Sequence, residues 1–228
     1  MDLLELEKKI KVEFNNKDLL KQALTHRSYI NENPNSGLEN NERLEFLGDA
    51  VLEIVVTEYL YHNYSNPEGE LTNWRAALVN ARMLSEIAGR LELNDYLLLS
   101  KGEAKDQGRA RQFILADAFE ALIGSIYLDQ GYEVVKDFIN REVLCELPRV
   151  IEEKLYQDPK SHFQEIAQEK VGITPHYEVI NESGPDHNKK FLVGGYWETK
   201  LIPEGEGSSK QEAETKAAET ALRKEEWK

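Results

Sequence analysis

The feature that most constrains this chain is a change of hydrophobic period near Leu147-Pro148. Before it, apolar residues recur at helical spacing: Leu3, Leu4, Leu6 and Ile10, then Leu44, Leu47, Val51, Leu52 and Val55, then Leu84, Ile87, Ala88 and Leu91. A fourth run, Phe113 to Leu128, is rich in Ala and Leu. Turn chemistry at Asn33-Pro34-Asn35-Ser36-Gly37, Asn66-Pro67-Glu68-Gly69 and Gln130-Gly131 separates these runs, and none of it reads as a β-hairpin. After Leu147-Pro148 the pattern changes. Asp158-Pro159 reads as an N-cap followed by proline in the first helical turn. Strand-like runs follow at 176–180, 190–194 and 196–201, with Gly184-Pro185-Asp186 and Gly194-Gly195 as turns. A last helix begins near Ser208-Ser209 and reaches Arg223 along an alanine face. The pattern predicts an all-α domain over 1–148, a linker over 149–157 and a small α+β domain over 158–228. The second has the order α-β-β-β-α, three antiparallel strands with both helices on one face.

The 228 residues include one cysteine, Cys145, so no internal disulfide can form. The N-terminus has no apolar core of a signal peptide, and no apolar stretch approaches the roughly 20 residues that span a bilayer. These features predict a cytoplasmic protein with no membrane partner. The charge is less ordinary: 28 Lys and Arg stand against 42 Asp and Glu, a net of −14. Taken alone, that argues against a nucleic-acid partner, because such proteins neutralise phosphates with basic surface.

Two helical segments bear the chemistry. In Asn41-Glu-Arg-Leu-Glu-Phe-Leu-Gly-Asp-Ala50, the acids Glu42, Glu45 and Asp49 fall within a roughly 60° arc of one helix face. Asp is a poor mid-helix residue, and it follows Gly48, a residue that lets another backbone approach closely. The second segment, Ile114 to Gly124, places Asp117 and Glu120 at i,i+3 in a run with no other charge as far as Tyr127. Carboxylates on so apolar a helix must be paired with Arg, protonated or bound to metal. Four converging carboxylates suit hard cations such as Mg²⁺ or Mn²⁺, and no second Cys or close His pair offers a zinc site.

In the small domain, Ser161, Gln164, Glu165 and Gln168 share one helix face opposite Phe163, Ile166 and Ala167. Hydrogen-bonding side chains of this kind suit the wide minor groove of A-form RNA. The loop at Gly184-Pro185-Asp186 presents His187, and Gly205-Glu-Gly-Ser-Ser-Lys210 opens the last helix where Lys210 can meet a phosphate.

With these residues in view, NERLEFLGDAV (41–51) resembles the signature helix of the bacterial ribonuclease III family, and LADAFEALIGSIYL (115–128) resembles its second acidic helix. Thr25-His26-Arg27-Ser28-Tyr29 and Glu68-Gly69 with Leu71 are similar to two further family segments, and 158–226 resembles the family's double-stranded RNA-binding domain. The resemblance implies a homodimer, formed through the endonuclease domain, that hydrolyses double-stranded RNA with carboxylate-bound Mg²⁺ and leaves 5′-phosphate and 3′-hydroxyl ends. It implies metal-binding roles for Glu45, Asp49, Asp117 and Glu120, with Asp49 and Glu120 most directly catalytic, and secondary roles for Glu42 and Glu68. It implies RNA contacts at Gln164, Glu165, His187 and Lys210, and backbone contacts at Lys101 and Arg109 in KGEAKDQGR. Precursors of ribosomal, messenger and transfer RNA are the expected substrates. Gln107 and Gln211 stand where the family commonly has Gly and a basic residue, departures that bear on RNA affinity more than on chemistry. His26 reads as structural. The alternatives are a catalytically silent double-stranded RNA-binding protein and an acidic protein-interaction module.

Overall fold

The computed structural model describes residues 2–105, 108–172, 174–185, 189–197 and 200–223, with backbone alone at 109, 171, 197 and 200–203. The chain divides into two compact units, Met1–Tyr156 and Gln157–Lys228.

The first unit is helical: α1 (Leu3–Ile10), α2 (Lys17–Ala23), α3 (Arg27–Glu32), α4 (Glu42–Asn63), α5 (Glu68–Val79), α6 (Ala81–Arg90), α7 (Arg109–Gln130), α8 (Tyr132–Glu142) and α9 (Leu147–Glu152). Side-chain caps fix several starts. Asp2 accepts from the Leu4 amide at 3.1 Å, and Asn80 from the Met83 amide at 2.9 Å. His26 caps α3, its Nδ1 accepting from the Ser28 amide at 3.3 Å, which is the structural role read from the sequence.

The two longest helices, α4 and α7, form the centre. Leu52, Val55 and Val56 of α4 share one core with Phe119, Leu122, Ile123 and Ile126 of α7. Leu6 and Ile10, Leu84 and Ile87, and Phe138 and Ile139 enclose it from α1, α6 and α8. Each such side chain contributes on the order of 1.5–3 kcal/mol on burial. Because α7 is covered on nearly every side, its sequence is apolar all round rather than striped.

The segment 149–157, which its polar sequence marks as a helix end plus linker, begins helical. Its start belongs to α9, where Leu147 and Val150 are buried, and Ile151 and Tyr156 pack on the same core. Arg149 bridges Glu86 at 3.1 Å and Glu146 at 3.0 Å. One helical turn and a half holds too few apolar positions to reveal a period.

The second unit comprises α10 (Pro159–Val171), β1 (His176–Ser183), β2 (Lys190–Trp197), β3 (Lys200–Gly207) and α11 (Lys210–Arg223). The strands are antiparallel in the order β1-β2-β3. Asp158 caps α10 as its sequence predicts, accepting from the Lys160 and Ser161 amides at 3.1 and 3.0 Å. Phe163 of α10 meets Ala218 and Ala221 of α11, with Tyr177 of β1 packed against them. The alanine face of α11 lies almost on the β3 backbone. A Cβ at Gly205 would fall 2.3 Å from the Ala213 carbonyl oxygen, and one at Gly207 would fall 2.6 Å from the Ala213 nitrogen.

Gly194-Gly195 is not the turn expected between two strands. Both residues lie inside β2, where the register with β3 shifts between Gly194 and Tyr196. Paired glycines here serve a bulge, the other common use of glycine in a strand. Among the described residues, no helix is long and apolar enough to cross a membrane.

Candidate functional site

The site begins with a contact between backbones. A Cβ at Gly48 of α4 would lie 1.8 Å from the carbonyl oxygen of Glu120 on α7. A Cβ at Gly124 of α7 would lie 2.2 Å from the carbonyl oxygen of Leu44. The helices therefore touch where neither has a side chain, and the acids flanking that contact are drawn together. Glu45 lies one turn before Gly48. Glu120 lies at the contact, with Asp117 one turn before it.

Carboxylate oxygens of Glu45, Asp117 and Glu120 all lie within 4.8 Å of one another. All three residues are half-buried. Asp49 is exposed and stands outside this tight group. Its charge nonetheless acts on Glu45 and Glu120. Burial pushes the Glu120 carboxyl up to about 8, and the charges of Asp49, Asp117 and Glu45 push it in the same direction. Burial also raises Glu45, reinforced by Asp117, Glu42 and Asp49, and burial raises Asp117.

Among the described residues, no Lys, Arg or His forms an ion pair with any of these four acids. This removes the arginine-paired arrangement that the sequence left open. Like charges gathered without a counter-charge are unfavourable at neutral pH, and two states relieve them, protonation or a bound cation. The donors are all carboxylate oxygens, a set that fits a hard divalent cation and does not fit a thiophilic one.

The remaining acids lie outside the group. Glu42 is exposed at the start of α4, 3.4 Å from an Arg27 nitrogen and accepting from Asn40 Nδ2 at 3.0 Å. Glu68 opens α5, where it accepts from the Thr72 hydroxyl at 3.1 Å. Lys101 is exposed, and its backbone amide donates to Glu32 at 3.1 Å. The Arg109 backbone opens α7, but its side chain lies outside the described atoms, as do His187 and Gln107 entirely.

In the second unit, Ser161, Gln164, Glu165, Gln168 and Glu169 line one open hollow on the exposed side of α10. Lys210 is exposed at the start of α11, where its ammonium lies 3.3 Å from Glu182.

Two features of the first unit escape a reading by sequence alone. Gly124 is the mate of Gly48, and a lone glycine in an apolar helix is the only local trace of it. Phe46 is 82% exposed, and the same helix exposes Ile54 at 59% and Tyr61 at 76%. Helical spacing puts Phe46 about 40° from Glu42, on the polar side, so an aromatic residue on the wrong face was the available signal.

Residues 16–147 match the family model described as ribonuclease-III-like, and residues 159–225 match the double-stranded RNA binding motif. A protein named ribonuclease 3 from Dehalococcoides mccartyi is 45% identical over 223 residues, spanning 97% of this chain and 94% of the relative. Its namesake from Oceanobacillus iheyensis is 46% identical, spanning 97% of both. The solved nuclease domain of ribonuclease III from Campylobacter jejuni is 43% identical with a TM-score of 0.58, covering 64% of this chain and 99% of that one.

Proposed function

The chain belongs to the ribonuclease III family of endoribonucleases that act on double-stranded RNA, and from that premise we propose that Glu45, Asp49, Asp117 and Glu120 hold Mg²⁺ for phosphodiester hydrolysis. Mn²⁺ can substitute for Mg²⁺ with such donors. The observation that supports this most is the group Glu45, Asp117 and Glu120, gathered within 4.8 Å with no counter-cation among the described residues. A divalent ion bound there supplies a water of lowered pKa and stabilises charge on the scissile phosphate and the leaving 3′ oxygen.

The chain's own part is placement. The Gly48–Gly124 contact fixes α4 against α7, so the acids are positioned by a rigid core rather than by a loop. Glu45, Asp117 and Glu120 form the inner group. Asp49, exposed on the same helix as Glu45, meets both the ion and the RNA. Hydrolysis then leaves a 5′-phosphate and a 3′-hydroxyl. Glu42 and Glu68, exposed on the same unit, act as secondary acids.

Duplex recognition falls to the second unit, with Gln164 and Glu165 facing the minor groove, His187 in the β1–β2 connection, and Lys210 at a phosphate. Lys101 and Arg109 add backbone contacts from the first unit. The exposed stripe of Phe46, Ile54 and Tyr61 supports a homodimer through the helical unit, in which each subunit cuts one strand. The substrates are structured precursors of ribosomal, messenger and transfer RNA, processed in the cytoplasm.

The test is Glu120→Gln. With a long duplex and saturating Mg²⁺, the wild type should cleave to 5′-phosphorylated products, and chelation should stop it. The variant should bind the duplex with near wild-type affinity and cut at least 100-fold more slowly, the loss of about 2.7 kcal/mol at the transition state. Cutting by the variant at a near wild-type rate would overturn the assignment. Wild type that binds without cutting would instead indicate a silent RNA-binding protein.

A further inference from the structure

Glu182 lies next to last in β1, directly opposite Phe191 of β2. Each of its carboxylate oxygens holds a different lysine. Oε2 is 2.9 Å from the Lys189 ammonium, and Oε1 is 3.3 Å from the Lys210 ammonium. Both ammonium groups also sit over the Phe191 ring, 5.5 and 5.7 Å from its centre. Three other lysines of this unit take one glutamate each: Lys160 with Glu214, Lys190 with Glu206, Lys216 with Glu212. Of these glutamates, Glu182 alone joins two lysines.

We propose that Glu182 is a built-in competitor for RNA phosphate, occupying the two lysines that a duplex must recruit and thereby setting how tightly this enzyme holds its substrate. The inference rests on reading Lys210 as a phosphate contact. A carboxylate and a phosphate ask the same thing of an ammonium group, so the lysines cannot serve both fully. An exposed pair of this kind is weak, so Glu182 does not block binding. It remains charged, however, because Lys189 and Lys210 hold its carboxyl below the usual range. A phosphate brought to Lys210 therefore meets a fixed negative charge across the same ammonium, and that repulsion reduces affinity. The Phe191 ring keeps both lysines over one patch, so removing the carboxylate releases them where they already stand.

The experiment compares full-length variants in metal-free buffer, where binding is read without cleavage. The probe is a blunt RNA duplex of about 24 base pairs, longer than the roughly 16 that one such domain spans. Fluorescence anisotropy is measured across a salt series. Glu182→Gln should bind about threefold to tenfold more tightly than wild type at low salt. Its log K against log salt should be steeper by about one. Lys210→Gln should weaken binding, and in that background the gain from Glu182→Gln should fall by at least half. Glu204→Gln removes an exposed charge of the same unit that no described lysine holds, and should change affinity less than twofold. If Lys210→Gln binds like wild type, the reading of Lys210 itself fails. If it weakens binding but Glu182→Gln gives no gain, the competitor role is overturned. An equal gain from Glu204→Gln would overturn it too, since net charge alone would then suffice.

Discussion

Replacing Glu120 with Gln removes the charge that the α4–α7 contact is least suited to hold, so the metal-free protein should gain stability from the same change that tests the proposed chemistry. Burial, then Asp49, Asp117 and Glu45, move this carboxyl from 4.5 to about 8 in the folded chain. An unfolded chain binds the same proton only below about 4.5. The folded state holds the proton more tightly, so the stability due to protonated Glu120 is fully present below pH 4.5. It is lost progressively as pH rises towards 8. At 1.36 kcal/mol per pH unit the loss at pH 8 is at most about 5 kcal/mol. Glu120 is half-buried rather than sealed, and solvent screening reduces this to about 2 kcal/mol. Gln has the shape of the protonated acid and cannot ionise. In EDTA at pH 8 the variant should therefore melt about 4–8 °C above wild type. The gap should nearly close at pH 5, where wild-type Glu120 is protonated. Mg²⁺ should raise the wild-type midpoint and move the variant's much less, because binding to the native state alone is what stabilises it. Thermal unfolding followed by circular dichroism at both pH values, with and without Mg²⁺, supplies every comparison. A variant that melts at or below wild type in EDTA at pH 8 would refute the reasoning. So would a gap that persists undiminished at pH 5.

Two further outcomes test how the site is assembled. Gly48→Ala places a methyl 1.8 Å from a backbone oxygen that no rotamer change can move, and should cost at least about 3 kcal/mol in urea unfolding. The comparison is Gly69→Ala, where nothing lies within 4 Å and stability should hold or rise slightly. Equal effects from both would mean that the helices do not meet as closely as stated. Phe46→Asp puts a charge on the exposed stripe of α4 and should shift sedimentation from dimer to monomer while leaving the circular dichroism of the helical unit unchanged. A wild type that already sediments as a monomer would remove the basis for the dimer.

What could be read along the chain, and what could not, follows from the range of each interaction. Asp117 and Glu120 stand out along the chain because a charge within an apolar helix is a local anomaly, and Glu45 and Asp49 because they share one helix face around Gly48. Gly48 was legible because it stands beside an aspartate that helices disfavour. Gly124 was not, because the need for it arises only when α7 meets α4, a contact between chain-distant segments. The asymmetry of the four acids was hidden as well. Helical spacing gives Asp49 and Glu45 similar standing, whereas the crossing of the helices half-buries Glu45 and leaves Asp49 in solvent. Gly194-Gly195 misled because glycine serves both a turn and a bulge, and only the pairing of β2 with β3 decides between them. The packing of α9 is less legible, because its two buried positions, Leu147 and Val150, are followed or flanked by Arg149, Glu152 and Glu153.

The net charge shows where counting residues stops being informative. Residues 158–228 carry 10 basic and 14 acidic side chains, a balance that looks poor for holding a polyanion. Among the described residues, Lys160, Lys189, Lys190, Lys210 and Lys216 stand in ion pairs with glutamates of the same unit. Each exposed pair is worth little and opens readily. A phosphate near Lys190 or Lys216 therefore exchanges one weak partner for another, whereas the partner at Lys210, Glu182, is held in place by Lys189 as well. The acidic excess acts through such particular neighbours, because salt shortens the reach of each charge to about 8–10 Å. A duplex presents many phosphates in fixed array and can draw several lysines at once, while an isolated phosphate gains almost nothing by displacing a tethered carboxylate.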